Sequence, residues 1–168
     1  MCICDDASTE VFVQAVTTGG KSLSPARQKI MDIEGKIAQT PGAMFSDCFP
    51  LRHTFGDGLY VREITMPAGM FVVSKIHKKH HPYFILKGDV SVLTEEGVVR
   101  LRAPYQGMTP AGTKRVLYIH KETVWTTIHA TRETDLEKIE EEIIAKTFDD
   151  VLPDIDKMKV LMGAEVTR

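Results

Sequence analysis

The chain has 168 residues, 43% of them hydrophobic, and its 21 Lys and Arg nearly balance 23 Asp and Glu, giving a formal net charge of −2. That length suits a single globular domain, and the balance rules out recruitment of nucleic acid or of an anionic membrane by bulk charge. Any charged recognition has to be local.

Cys2, Cys4 and Cys48 make an odd count, with two of the three at the very start of the chain. That is a poor disulfide framework and fits a reducing, cytoplasmic setting. Cys2-Ile-Cys4 has the donors for a soft metal, but a pair of thiols at a mobile end is the simpler reading. There is no basic stretch followed by an apolar core at the start, and no apolar run approaches the ~18 residues that would span a bilayer, so a soluble protein is expected.

Residues 1–44 read as an arm and a helix. Val11 to Val16 form a short strand-like run, and Gly19-Gly20 after it would let the segment swing out and add a strand to a neighbour. Ser24-Pro25 is an N-cap followed by proline at the first helical position, and Ile30, Ile33 and Ile37 recur at helical spacing until Thr40-Pro41-Gly42. One amphipathic helix lying on a larger body is predicted.

From residue 45 to residue 130 the texture changes to short runs rich in Val, Ile, Thr, Tyr and Phe. Turn signals separate them at Gly56-Asp57-Gly58, Pro67-Ala68-Gly69, Gly88-Asp89, Glu95-Glu96-Gly97 and Pro110-Ala111-Gly112. This cadence predicts an all-β core, an antiparallel sandwich or barrel. Residues 131–168 return to helical texture. Thr134-Asp135-Leu136-Glu137 reads as a capping box, Leu136, Ile139 and Ile143 form one apolar face, and the run of glutamates covers the other as a solvated surface. A last short helix with a stripe of Ile155, Met158 and Leu161 is expected to dock on the barrel or on a second subunit.

The chemistry concentrates in Ser74 to Gly88, "SKIHKKHHPYFILKG", where His77, His80 and His81 fall within five positions among lysines. Alternation along a strand puts His80 and His81 on opposite faces, so at most one of that pair looks inward. Around this stretch, Gly69 is followed by five residues, then Lys75-Ile76-His77, three more to His81 and six more to Gly88. Further on, Pro110-Ala111-Gly112 is followed two residues later by Arg115, with Ile119 beyond it and Pro104 before it.

These two patterns resemble the motifs of the cupin superfamily, small jelly-roll barrels that include dTDP-sugar epimerases and many metal-dependent dioxygenases. The resemblance covers about half the chain and implies a cupin-like antiparallel jelly-roll barrel. The flanking helices also resemble those of small cupins of tailed phages. In metal-binding cupins the motif positions carry His, His, Glu and His around one ion; here they carry Lys75, His77, His81 and Arg115, so the four-ligand set is broken. Two readings of the site follow.

In one, His77 and His81 are joined by His129, at the end of the "VWTTIH" run, to make a three-imidazole face for a divalent transition metal such as Zn, Fe, Ni or Mn. In the other, Lys75, His77, His81 and Arg115 form a cationic cup that grips a carboxylate or phosphate, with His77 or His81 available as a catalytic base. Tyr60, Tyr83, Tyr105 and Tyr118 are the phenols available to such a site, and their facing is open.

The plainer reading makes Lys78, Lys79 and His80 a solvated turn, His53 and His120 locally bonded surface histidines, and Trp125 a core residue. It allows Lys75 and Arg115 to be paired with inward acids such as Glu63. The leading expectation is a cupin-type protein that holds a small polar or anionic ligand inside the barrel, with or without a metal. The alternatives are a non-catalytic structural or adaptor protein, for example in phage particles or their assembly, and a metal-dependent enzyme of dioxygenase or isomerase type. The resemblance also implies a homodimer or larger self-assembly.

Overall fold

In a computed structural model of the chain, residues 23–41 and 49–151 are described. The arm with Cys2 and Cys4, Cys48, the barrel boundary at residue 45, and the stripe of Ile155, Met158 and Leu161 lie outside the described residues.

Helix α1 (Pro25–Ala38) starts where the capping signal placed it: the Ser24 side chain accepts the Arg27 N–H, and Pro25 opens the helix. Ile30 is its buried contact, with Ile33 and Ile37 half-buried. Two ion pairs fasten it to the β core. Arg27 reaches Glu95 at 2.7 Å, and Glu34 meets the buried Lys114 at 2.8 Å.

The core is antiparallel throughout. Its strands are β1 (Leu51–Gly56), β2 (Leu59–Met66), β3 (Phe71–Val73), β4 (Ile76–His77), β5 (His81–Thr94), β6 (Gly97–Arg102), β7 (Tyr105–Thr109) and β8 (Val116–Ala130). Two strands, β5 and β8, are much longer than the rest and pass through both halves of the barrel. Their first-to-last pairing shows how. The start of β5 pairs with β7 and with the end of β8, whereas the end of β5 pairs with β6 and with the start of β8. The end of β8 also pairs with β2, and its start with β3. One half is therefore β1-β2-β8-β5-β7 and the other β3-β8-β5-β6, a jelly-roll-like closure with cupin-like placement of the motif residues.

The bend that permits this sits at Gly88. The β5–β8 register shifts between Ile85 and Val90, and Gly88 has φ 111° in the middle of the shift. A Cβ there would lie 2.3 Å from Thr123 Oγ1 and 2.6 Å from the Glu122 carbonyl oxygen. Thr123 is fully buried and its hydroxyl donates to the Lys121 carbonyl, so it has nowhere to retreat. The glycine that closes the first motif is thus a place where two backbones touch. On either side, Ile85, Val90, Val92, Ile119, Leu117 and Trp125 fill the interior.

After the barrel, helix α2 (Leu136–Ile143) is capped by Asp135, not by Thr134 as the capping-box reading had it. The Asp135 carboxylate accepts the N–H groups of Glu137 and Lys138, with its negative charge at the positive helix end. Ile139 and Ile143 are buried against Tyr60, but Leu136, expected on the same face, is 44% exposed because the first turn overhangs the contact. The chain then makes a short strand that the sequence pattern did not show. This is β9 (Ile144–Ala145), paired with β4 so that Ile76 faces Ala145 and His77 faces Ile144. Ile76, Ala145, Phe148 and Val151 form a second small core, on which Met31 of α1 also rests. No helix among the described residues is long and apolar enough to cross a membrane.

Gly88→Ala should destabilise the fold by ~2–4 kcal/mol, from backbone strain plus the collision with Thr123. Gly35→Ala, in an exposed turn of α1 with open space around it, should instead stabilise by about 0.5–1 kcal/mol. Urea denaturation of the two variants measures both, and a near-neutral Gly88→Ala would contradict the contact at the bend.

Candidate functional site

Side chains on the barrel's inner face fall into rows. On β2 the inward positions are Tyr60, Arg62, Ile64 and Met66; on β8 they are His129, Thr127, Trp125 and Thr123, paired with them in register. On β5, His81 lies opposite Thr109 of β7, and Tyr83 lies between Thr127 and Gly107. The outermost row therefore holds Tyr60, His129, His81 and Thr109. The next holds Arg62, Thr127 and Tyr83, and a floor of Trp125 stacked on Tyr83 at 4.6 Å lies beneath.

His77 completes the outer row from β4. Its ring stacks on His129 at 5.4 Å and lies 4.2 Å from His81, while His81 and His129 are 4.5 Å apart, centroid to centroid. One ring nitrogen from each of the three falls within 4.8 Å of the others. Among the described residues this is the cluster of His, Cys, Asp or Glu side chains able to surround an ion. His81 and His129 are only 2% and 3% exposed.

Hydrogen bonds assign which nitrogen faces the cluster. His81 Nδ1 lies 3.2 Å from the Lys79 carbonyl, which can only accept, so Nδ1 carries the proton and Nε2 keeps its lone pair. His129 Nε2 is 3.1 Å from Thr127 Oγ1, and that hydroxyl in turn points its hydrogen at the Arg62 carbonyl. His129 Nε2 is then the donor, and Nδ1 is left for a ligand.

All three imidazoles are neutral at physiological pH. Burial before anything else holds His77 down to about 2, helped by His81, His129, Arg62 and Arg115. Burial likewise lowers His129 to about 3, with His81, Arg62 and Lys79 adding to it. His81 is lowered chiefly by burial, against the opposing bond to the Lys79 carbonyl. No carboxylate contributes to any of the three.

Arg115 sits beside the cluster. Its guanidinium lies 5.0 Å over the Tyr83 ring and donates through Nη1 to Thr109, but Nε is buried with no partner. Burial lowers its pKa, an effect that Tyr83, Glu96 and Tyr105 partly offset. A buried N–H without an acceptor is costly, by ~1–3 kcal/mol.

The residues offered by the sequence divide clearly. The structure brings His77, His81, Arg115 and His129 together. Lys75 lies elsewhere: its ammonium pairs with Glu140 of α2 at 2.6 Å on a half-exposed surface. The lysine turn is exposed as expected, yet it is not idle, for Lys78 Nζ donates to the Glu141 carbonyl and Lys79 pairs with Glu142. The glutamate run of α2 is the acceptor for this clasp, which draws α2 and β9 over the histidines.

His53 bonds to the hydroxyl of Tyr60, whose ring in turn stacks on His129, and His120 bonds to Ser91. Glu63, considered as an inward partner, pairs outward with Arg52. His80 is exposed. Arg62 was missed altogether, although the alternation Tyr60, Arg62, Ile64, Met66 in "LYVREITM" places it in phase with three apolar side chains that point inward.

Several solved structures are similar to this chain. A cupin-2 domain containing protein from Shewanella frigidimarina matches at 10% identity over 62% of this chain and 97% of its own, with a TM-score of 0.42. A cupin domain from Bordetella pertussis matches at 18% identity over 49% and 93%, with a TM-score of 0.40. A cupin superfamily protein from Desulfitobacterium hafniense matches at 13% identity over 52% and 82%, with a TM-score of 0.44. Likenesses this distant decide nothing about activity, and the cupin-like fold stands on the strand pairing, the bend glycine and the inward motif histidines described above. No protein-family model matches the chain, and no curated protein matches it.

The buried neutral histidines make stability pH-dependent with a definite sign. Their folded pKa values lie below the free value of ~6.5, so between these limits the unfolded chain binds more protons and stability falls as pH falls. Urea titrations of metal-free protein at pH 7, 6 and 5 should show a loss that, below the free value of ~6.5, approaches ~1.4 kcal/mol per pH unit for each of His77 and His129, with His81 adding in the same direction. His129→Gln should flatten that slope by about one proton; an unchanged slope would mean that His129 is not held neutral.

Proposed function

We propose that the outer row of the barrel binds one divalent transition metal through His77, His81 and His129, and a small polar or anionic ligand beside it. The observation that carries this reading is the convergence of three neutral imidazoles, those of His81 and His129 buried and with their second ring nitrogens already tied off by Lys79 and Thr127. Around an ion bonded at ~2.0–2.1 Å, tetrahedral donors stand roughly 3.3 Å apart, so small rotations of the three rings suffice. An all-imidazole set suits Zn, Fe or Ni, with Mn the poorer match because it favours oxygen donors.

Three protein donors leave coordination positions open, and a metal bound there would act as a Lewis acid toward an oxygen of the ligand. His81 occupies the place where the cupin motif has glutamate, and Arg115 the place of its last histidine. Nearby Arg62 and Arg115 favour an anionic ligand and weaken binding of the bare cation. Lys75 contributes at most to the clasp that closes the site. Whether the ligand is turned over, as in a dioxygenase or isomerase, depends on chemistry that a three-histidine centre permits but does not dictate.

The adaptor reading has one observation in its favour: Leu86, Val98 and Met108 are large apolar side chains left well exposed on the barrel.

Metal analysis of protein purified without an affinity tag should find about one equivalent of a transition metal, lost in His77→Ala and in His129→Ala. Protein stripped with chelator should regain thermal stability when Zn, Fe, Ni or Mn is added, by about 2.7 kcal/mol at 100 times the dissociation constant. Absence of metal together with no response to any of the four ions would overturn the metal reading and leave the metal-free ligand site and the adaptor.

A further inference from the structure

Two positive charges, Arg62 and Arg115, act on His77, and no carboxylate does. Arg62 acts electrostatically on His77 and His129, whereas Arg115 acts on His77 and His81. Arg62 comes from the second row of the inner face, in register with Thr127, which is in turn in register with Tyr83. Arg115 reaches the same end of the barrel from the loop before β8 and lies over Tyr83.

Among the described residues neither guanidinium has a carboxylate partner. The eight ion pairs seen there all use other cations. Glu96, the acid that acts on Arg115 from a distance, is exposed and forms no ion pair with it. Elsewhere in this molecule arginines find acids readily, as Arg100 and Arg102 do on Asp89. At the histidine cup no such acid is present among the described residues. The buried Arg115 Nε, with no acceptor, marks one donor that an incoming group would satisfy.

We infer that Arg62 and Arg115 together hold a small oxyanion, a carboxylate or phosphate, against the His77–His81–His129 cup. The inference rests on reading that cup as a binding site, but not on its being filled by metal. Guanidinium groups pair with planar or tetrahedral oxyanions through two parallel N–H···O bonds, which a halide cannot reproduce. Burial strengthens such bonds because water does not compete.

The test is isothermal titration of oxalate, inorganic phosphate, chloride and the neutral analogue oxamide into metal-free and into nickel-loaded protein. The variants are Arg62→Gln, Arg115→Lys and His129→Ala, with circular dichroism confirming that each is folded. Expected is binding of oxalate or phosphate to the wild type, weakened at least tenfold in both arginine variants, with chloride and oxamide silent. Comparison of the oxalate and phosphate arms tells carboxylate from phosphate.

An oxyanion affinity unchanged in Arg62→Gln, equal binding of chloride, or silence of both oxyanions in both forms of the protein would each overturn the inference. Metal uptake without oxyanion binding would sink it while leaving the metal reading intact. Oxyanion binding without metal uptake would do the reverse.

Discussion

The contact of Gly88 with Thr123 is the constraint on which the rest of this structure depends. Strands β5 and β8 are long enough to serve both halves of the barrel only because they bend together at one point, and they bend there because Gly88 has no side chain to hold them apart. Past the bend each strand changes partners, so the barrel closes. Before it, the start of β5 and the end of β8 are left side by side with β2 and β7 as neighbours. That brings His81, at one end of the chain segment, against His129, which is 48 residues away by number but a strand's width away in space. The bend lies seven residues from His81 along β5 and six from His129 along β8, yet it sets their meeting.

The third histidine arrives by a different route. His77 lies on a strand of two residues that could not be stable alone and is held by pairing with β9 on the far side of α2. Helix α2 in turn is held by two apolar side chains on Tyr60, worth ~1.5–3 kcal/mol each, and by the lysine clasp. Its ion pairs are exposed, and exposed pairs contribute ~0–1 kcal/mol each. The position of His77 thus depends on weak and partly salt-sensitive contacts, whereas His81 and His129 are fixed by the core. Opening the strap of α2 and β9 would move His77 and leave His81 and His129 in place.

Much of the fold was legible in the sequence because its signals are local: the cap at Ser24 and Pro25, the turn residues between strands, and the inward phase of His77 and His81 relative to Gly88. What escaped was set by partners distant in the chain. Thr134 has the right chemistry for a cap, but Asp135 is the residue left extended at the helix start. Leu136 continues an apolar stripe, but it stays exposed while Ile139 and Ile143 are buried on Tyr60. β9 is too short to have a period. Lys75 occupies a motif position, yet the glutamates of α2 are on the outside and claim it. Arg62 was readable in principle, since its neighbours two residues either side are buried, but a single charged residue in an apolar phase reads more readily as an exception than as a lining residue until the opposite wall is known.

The charge around the cup is all of one sign. A carboxylate at the His81 position would have offset one of the two guanidinium charges. With histidine there, nothing in the described protein neutralises Arg62 and Arg115, and the only way to keep the three imidazoles useful as donors is to keep them uncharged, which burial does. A divalent ion entering alone would raise the local charge further and meet repulsion from both arginines. An anion entering first, or together with the ion, would remove that penalty, so under the proposed reading each would favour the other, in a cup whose imidazoles are neutral and whose fixed charges are positive.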